Sequence, residues 1–102
     1  MASHDYEEHL IEILRWSIEK FGIMQAKKYF FTISHFVERL NIDYTCHPEC
    51  RHLATKSRMY RNIILDAHLI IYRITDERIE VLDIFHSASS IRKIRGVRNI
   101  HL

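Results

Sequence analysis

The spacing of apolar residues changes once along this chain, near residue 58, and that change limits the possible folds more than any other feature. Before residue 58, apolar residues recur every three or four positions, which is typical of amphipathic helices. After it, short runs rich in Ile, Val, Tyr and Phe are separated by two or three residues, which is typical of strands joined by tight turns. The chain has 102 residues, enough for one domain, so both parts must share it.

Two helices are predicted in the first half. Ser3 or Asp5 can cap the first helix, and Gly22 follows as a helix stop. Its apolar stripe is predicted to be Leu10, Ile11, Leu14, Ile18 and Phe21. The second helix covers about residues 23–40, with a stripe of Ala26, Phe30, Ile33, Val37 and Leu40, widened by Tyr29 and Phe36. Because only a glycine-centred break separates them, the helices are expected to form an antiparallel hairpin.

Three strands are predicted in the second half, at residues 59–65, 69–74 and 79–85. Connections this short make consecutive strands antiparallel. The last strand has apolar residues on both faces, so we expect one sheet face against the helices and a second, partly covered face. The predicted class is α+β: an N-terminal antiparallel helical hairpin packed on a C-terminal antiparallel sheet of three strands, or four if the N-terminus adds one.

Composition excludes several classes of protein. A hydrophobic fraction of 47% and a charged fraction of 27% are ordinary for a folded globular domain. The formal net charge of +2 is too small to indicate a nucleic-acid partner by itself. No run of 18 apolar residues is present, and the acidic N-terminal segment does not have the pattern of a signal peptide. We therefore expect a cytoplasmic protein that does not bind membranes and whose two cysteines stay reduced.

Two long segments carry motifs in a recognisable order. In residues 11–30, IEILRWSIEKFGIMQAKKYF, a Phe-Gly break separates the two predicted helices. In residues 60–91 an arginine opens one strand (Arg61), an apolar-Tyr-Arg run fills the next (ending at Arg73), and a histidine ends the last (His86). These segments resemble the two helices and the C-terminal half of the RelE/ParE family, the toxin components of bacterial type II toxin–antitoxin systems. The resemblance covers roughly residues 9–94 and implies the RelE/ParE fold.

The sequence departs from the family pattern in two places. Family members usually begin with a strand, whereas MASHDYEE has no apolar alternation. Without that strand, one edge of the sheet is expected to be open to pairing with another chain. The family's last strand is also often followed by His-Gly-x-Arg, and here Ser89 stands at the arginine position.

The resemblance implies different activities in different branches of the family. In the RelE branch, a ribosome-dependent mRNA endonuclease, cleavage needs a base, an acid and a cation, which His86, Arg61 and Arg73 would supply. In the ParE branch, the toxin binds and inhibits DNA gyrase, and the target-binding residues would be Arg61, Arg73, Arg92, Lys93, Arg95 and Arg98. A third possibility is a non-toxic partner or repressor subunit. We favour the binding toxin, neutralised in a hetero-oligomer with a cognate antitoxin and needing no cofactor.

Antiparallel geometry argues against a catalytic centre shared by His86, Arg61 and Arg73. Arg61 near the start of the first strand and Arg73 near the end of the second are expected to be close. His86 is expected about 12 Å or more from Arg61, at ~3.3 Å per residue along a strand. This separation favours a broad contact surface over a catalytic centre.

Two further motifs lie outside the strands. The basic tail, residues 91–102, contains no acid, and the spacings Ile91–Ile94 and Val97–Ile100 predict that it packs on a surface. A cluster of possible zinc ligands lies within seven residues: Cys46, His47, Cys50 and His52. Known short zinc sites usually split their ligands into two more distant pairs, so we expect no metal and keep zinc as the weaker alternative.

Overall fold

The helices precede the strands in the order that the sequence predicts. A computed structural model describes all 102 residues. The helices are α1 (His4–Phe21), α2 (Ile23–Glu38), α3 (Leu40–Asp43) and, after the strands, α4 (Ile91–Arg95). The strands are β1 (Tyr60–Ile64), β2 (His68–Ile74) and β3 (Ile79–His86), and short 3-10 turns occupy Arg51–Leu53 and Gly96–Asn99. The predicted α+β class is confirmed. No helix is both long and apolar enough to cross a bilayer.

The sheet is an antiparallel meander in the order β1-β2-β3. Its register pairs Arg61 with Tyr72 at one end of the sheet and His68 with His86 at the other. An irregularity between Ile71 and Tyr72 places an extra residue in β3. The three predicted strands are therefore confirmed to within a residue or two at their ends.

The N-terminus pairs with the β3 edge of the sheet through an isolated bridge and does not form a full fourth strand. Ala2 forms a parallel bridge with Val81, and the Ser3 N–H donates to the Val81 carbonyl at 2.8 Å. The Ser3 hydroxyl accepts the Tyr6 N–H, capping α1, and donates to the Leu82 carbonyl. Apolar alternation does not reveal this short pairing because main-chain groups and a buried serine form it.

The buried face of α1 differs from the predicted stripe. Tyr6 and Ser17 are buried on α1, with Leu10 and Ile13 partly buried against the core. Of the predicted stripe, Ile11, Ile18 and Phe21 are exposed instead. The helix packs against both α2 and β3, and Ser3 at its start is bonded to Val81 and Leu82 of β3. The predicted stripe of α2 is confirmed, since Ala26, Ile33 and Leu40 are buried.

Apolar cores form on both faces of the sheet. On the helix side, Ile33 of α2 packs with Ile63, Ile70, Tyr72, Val81 and Ile84 of the sheet. On the second face, Ile71, Leu82 and Phe85 pack against Leu53, Ile94 and Val97. The basic tail thus packs on the chain's own sheet, which confirms that it is not simply solvated.

Candidate functional site

Arg73 is buried beneath the C-terminal tail. Its Nε donates to Glu80 at 2.7 Å, and its Nη2 donates to the Ile100 carbonyl at 3.0 Å. Arg78 donates to the other carboxylate oxygen of Glu80 at 2.8 Å. Burial raises the pKa of Glu80, but the hydrogen bonds and charges of the two arginines outweigh burial and hold this pKa below its ordinary value. Arg73 therefore anchors the tail, and its guanidinium is already occupied.

Arg61 organises the loop that precedes β1. Its Nη1 donates to the carbonyls of Thr45 and His47, each at 3.0 Å, and its Nε donates to the Arg58 carbonyl at 3.1 Å. Arg58 has a φ of 55°, in the left-handed region, and this conformation accompanies the carbonyl contact. Like Arg73, Arg61 donates to oxygens of the protein itself, through its Nε and Nη1.

His86 is exposed at the far end of the sheet from both arginines. Its Nδ1 accepts the Ala88 N–H at 3.1 Å, and its pairing partner is His68. His68 lies five positions before Arg73 on β2, which is about 17 Å at ~3.3 Å per residue. Acid–base catalysis needs its groups within hydrogen-bonding reach of one substrate. Arg61 pairs with Tyr72, four positions from His68, which is about 13 Å at ~3.3 Å per residue and agrees with the expected distance. The register does not bring His86, Arg61 and Arg73 together.

The tail cations, Arg92, Lys93, Arg95 and Arg98, are all exposed. None of them belongs to an ion pair of the chain. Ile94 and Val97 of the tail are buried, so the four cations lie on a segment that is packed against the rest of the protein. Arg51, also exposed, lies on the 3-10 turn that packs against α4. Charges held in place in this way form a surface suited to an acidic partner.

The cysteine and histidine cluster does not form a metal site. Cys50 is buried in the second-face core, whereas Cys46 is exposed. The His47 ring packs edge-on against Phe36 and Tyr72, at centroid distances of 6.2 and 6.0 Å. Burial raises the pKa of the Cys50 thiol, which opposes the thiolate that zinc needs. No three His, Cys, Asp or Glu residues are grouped so that they could hold a metal ion, so Cys46, His47, Cys50 and His52 do not converge in this structure.

Two polar pairs connect the helices to the sheet, and the sequence gives no sign of either. Tyr29 Oη lies 2.6 Å from Nδ1 of buried His68. His9 Nδ1 lies 2.6 Å from Asp83 Oδ1, and that oxygen also accepts the Ile84 N–H at 2.8 Å. Burial raises the pKa of Asp83, with the bonds from His9 and Ile84 opposing that rise. These partners are distant in sequence, so no local motif reports them.

Acid is expected to destabilise the protein in part through His68. Burial, and secondarily the nearby His86, lowers the pKa of His68 from its ordinary 6.5. As the pH falls below 6.5, the unfolded chain binds a proton at this position before the folded chain does, so stability is lost with falling pH. Urea denaturation between pH 7 and 5.5 should show this loss, and His68→Gln should reduce the slope. Equal slopes in the two proteins would contradict the assignment.

Two comparisons with known proteins, one of structure and one of sequence, agree with this geometry. The fold is of the RelE/ParE class: a solved chain from the chromosomal ParDE TA system of P. aeruginosa superposes with a TM-score of 0.68 at 17% sequence identity, covering 83% of this chain and 90% of that chain. A family model described as the ParE toxin of the type II toxin–antitoxin system parDE matches residues 2–91. The chain therefore belongs to the ParE toxin family. No curated protein matches the sequence.

Proposed function

We propose that this chain is a cytoplasmic toxin that binds and inhibits a cellular target, DNA gyrase being the target that the ParE branch implies, and that it does not cut RNA. The observation that carries the proposal is the separation of His86 from Arg61 and Arg73 at opposite ends of the sheet. Both guanidiniums are also occupied by the protein's own oxygens. The exposed tail cations are a charged surface that a target can reach.

The order in which cellular syntheses stop tests this proposal. Induced expression of the chain without its antitoxin should arrest growth, with incorporation of labelled thymidine falling before that of labelled methionine. Gyrase inhibition blocks replication directly, whereas an mRNA endonuclease stops translation first. Arrest that begins with translation would favour the RelE-like alternative, and full-length expression without arrest would favour the non-toxic partner.

We infer that a cognate antitoxin pairs with the open part of the β1 edge. Pro48 and Cys50 already pair with the first part of that edge, through bonds of 3.0 and 2.9 Å to Asn62 and Tyr60. The backbone of Ile64, at the end of β1, has no partner on this edge of the sheet. Ile64 is also 64% exposed. An open edge beside an exposed apolar side chain is a template for an extended segment of another protein.

Replacing Ile64 with lysine should weaken antitoxin binding at least tenfold. The substitution removes an apolar side chain that the partner would bury, worth about 1.5–3 kcal/mol, and places a charge on the edge. Ile42→Lys is a matched control, since Ile42 on α3 is also 64% exposed. We expect the antitoxin to be encoded in the neighbouring reading frame, and the affinity of each variant for it can be measured by calorimetry. Equal weakening by both variants would rule out the β1 edge.

A further inference from the structure

A cavity of about 260 Å³ opens where the tip of the helical hairpin meets the β1–β2 turn. Its walls are mainly aromatic: the rings of Trp16, Phe21, Tyr29 and His68 line it. Trp16 and Phe21 pack edge to face with their ring centroids 5.7 Å apart. Neither the tail cations nor the β1 edge at Ile64 forms part of this cavity, so the proposed toxin activity leaves it without a role.

The polar groups that line the cavity include several hydrogen-bond acceptors. Asp66 is its only charged lining residue, and no ion pair of the chain includes it. Ser17 is only 4% exposed, yet its hydroxyl is absent from the side-chain hydrogen bonds of the protein. Since every fully enclosed side-chain polar atom has a partner, the Ser17 oxygen is not fully enclosed, and Ser17 lines both this cavity and the apolar cleft between α1 and α2. Gln25 adds an amide oxygen at the same wall.

Aromatic faces beside an unpaired carboxylate are the surroundings that a cation prefers. The same rings already attract one, because the Lys20 ammonium lies 5.1 Å from the Trp16 ring centroid and 6.0 Å from that of Phe21. Lys20 does not line the cavity itself. A guanidinium fits better than a quaternary ammonium, since it stacks flat on aromatic rings and also donates several hydrogen bonds to carboxylate and hydroxyl oxygens.

We propose that this cavity binds an arginine side chain of a partner protein, with the guanidinium between the aromatic rings and the Asp66 carboxylate. A polypeptide is favoured over a small guanidinium compound by the residues that adjoin the opening. Ile23 and Met24, between Phe21 and Gln25 in the chain, are both exposed large apolar side chains. Residues flanking the arginine would cover them, and a small solute would leave them in water. The proposal does not depend on the toxin activity.

The intrinsic fluorescence of the protein gives a direct test, because Trp16 is its only tryptophan. The probe is the tripeptide acetyl-Leu-Arg-Leu-amide, and its control replaces arginine with citrulline, which has nearly the same shape and no charge. We expect a saturable change in Trp16 emission with a Kd on the order of 1 mM for so small a ligand. The citrulline peptide should bind at least about tenfold more weakly, since charge-assisted bonds are lost.

Two substitutions locate the site. Asp66→Asn should weaken the arginine peptide about tenfold, whereas Asp76→Asn, which alters an exposed acid in the β2–β3 turn, should leave its affinity unchanged. Ser17→Ala should weaken binding a few fold without lowering Tm, since no intramolecular hydrogen bond is lost. A Tm that falls while affinity stays constant would overturn the role of Ser17.

Two outcomes would overturn the proposal as a whole or in part. Equal binding of the arginine and citrulline peptides, or no saturable change with either, would show that the cavity does not select a cation. Arginine amide that binds as tightly as the tripeptide would show that a free guanidinium compound suffices, and the partner-protein assignment would then be wrong. Growth arrest by the toxin is a separate readout, so failure here and failure of the proposed function are distinguishable.

Discussion

Replacing Arg73 with alanine is expected to lower the free energy of unfolding by about 3–5 kcal/mol, because it leaves a buried carboxylate without its main partner. The side chain of Glu80 is only 6% exposed, and the half-exposed Arg78 would be its one remaining charged partner. The bond from Arg73 to the Ile100 carbonyl disappears as well, and the tail should loosen. Urea denaturation measures the loss, and limited proteolysis of the tail reports its release.

Arg78→Ala is the matched control for this experiment. Arg78 bonds to the same carboxylate but its side chain is 39% exposed, so its removal should cost about 1 kcal/mol or less. Replacing Arg73 and Glu80 together, with Met and Leu, should recover most of the stability, since no buried charge is then left alone. Arg78 also donates to the Leu102 carbonyl at 2.9 Å, so proteolysis of the tail is compared in both variants. Equal costs for Arg73→Ala and Arg78→Ala would show that Arg73 is not the main partner of Glu80.

Reversing the four tail cations to glutamate is expected to abolish growth arrest. If these charges contact an acidic target surface, the reversal replaces attraction by repulsion, and affinity should fall on the order of 100-fold. The substitutions keep Ile94 and Val97, which are buried in the second-face core. Truncation after Ser90 would remove those two residues and expose part of the second face of the sheet. Charge reversal changes the charges without removing this packing, so it is the better variant. The readout is growth after induction, with circular dichroism confirming the fold.

Two control proteins distinguish the tail cations from the strand-end histidine and from a general effect of net charge. His86→Ala should retain most of the arrest, because His86 lies away from the anchored arginines. Four reversals on the helical hairpin, at Arg15, Lys20, Lys27 and Lys28, change the net charge equally and should also leave arrest in place. Loss of arrest in His86→Ala alone, with the tail variant still toxic, would move the assignment to the RelE-like endonuclease branch.

Much of the fold follows from local pattern, because helices and strands here differ in period and the turns are short. The stripe of α2 was predictable since its buried residues recur at helical spacing on one face. The stripe of α1 was not, because α1 packs against both α2 and β3, and its buried residues, Tyr6 and Ser17, are polar or partly polar. The pairing of Ala2 with Val81 was also not predictable, since it uses backbone groups of residues that are 79 positions apart in the chain.

The candidate site was predictable only as far as strand register allows. Antiparallel order was enough to place His86 far from Arg61, and the pairing of His68 with His86 agrees with that. The partner of Arg73 follows from strand register, because strands that end at residue 74 and begin at residue 79 place Arg73 opposite Glu80. The partners of Arg61 were not predictable, because the carbonyls of Thr45 and His47 reach it from an irregular loop. Charge pattern alone could not distinguish these occupied arginines from the exposed tail cations.

The most direct test of binding without RNA cleavage is a supercoiling assay with purified gyrase, run beside a ribosome-dependent mRNA cleavage assay on the same protein preparation. We expect the wild-type chain and His86→Ala to inhibit supercoiling to a similar degree, and the tail reversal variant to inhibit at least tenfold more weakly. We also expect mRNA to stay intact at these concentrations. Cleaved mRNA that depends on His86, together with unaffected gyrase, would contradict the account.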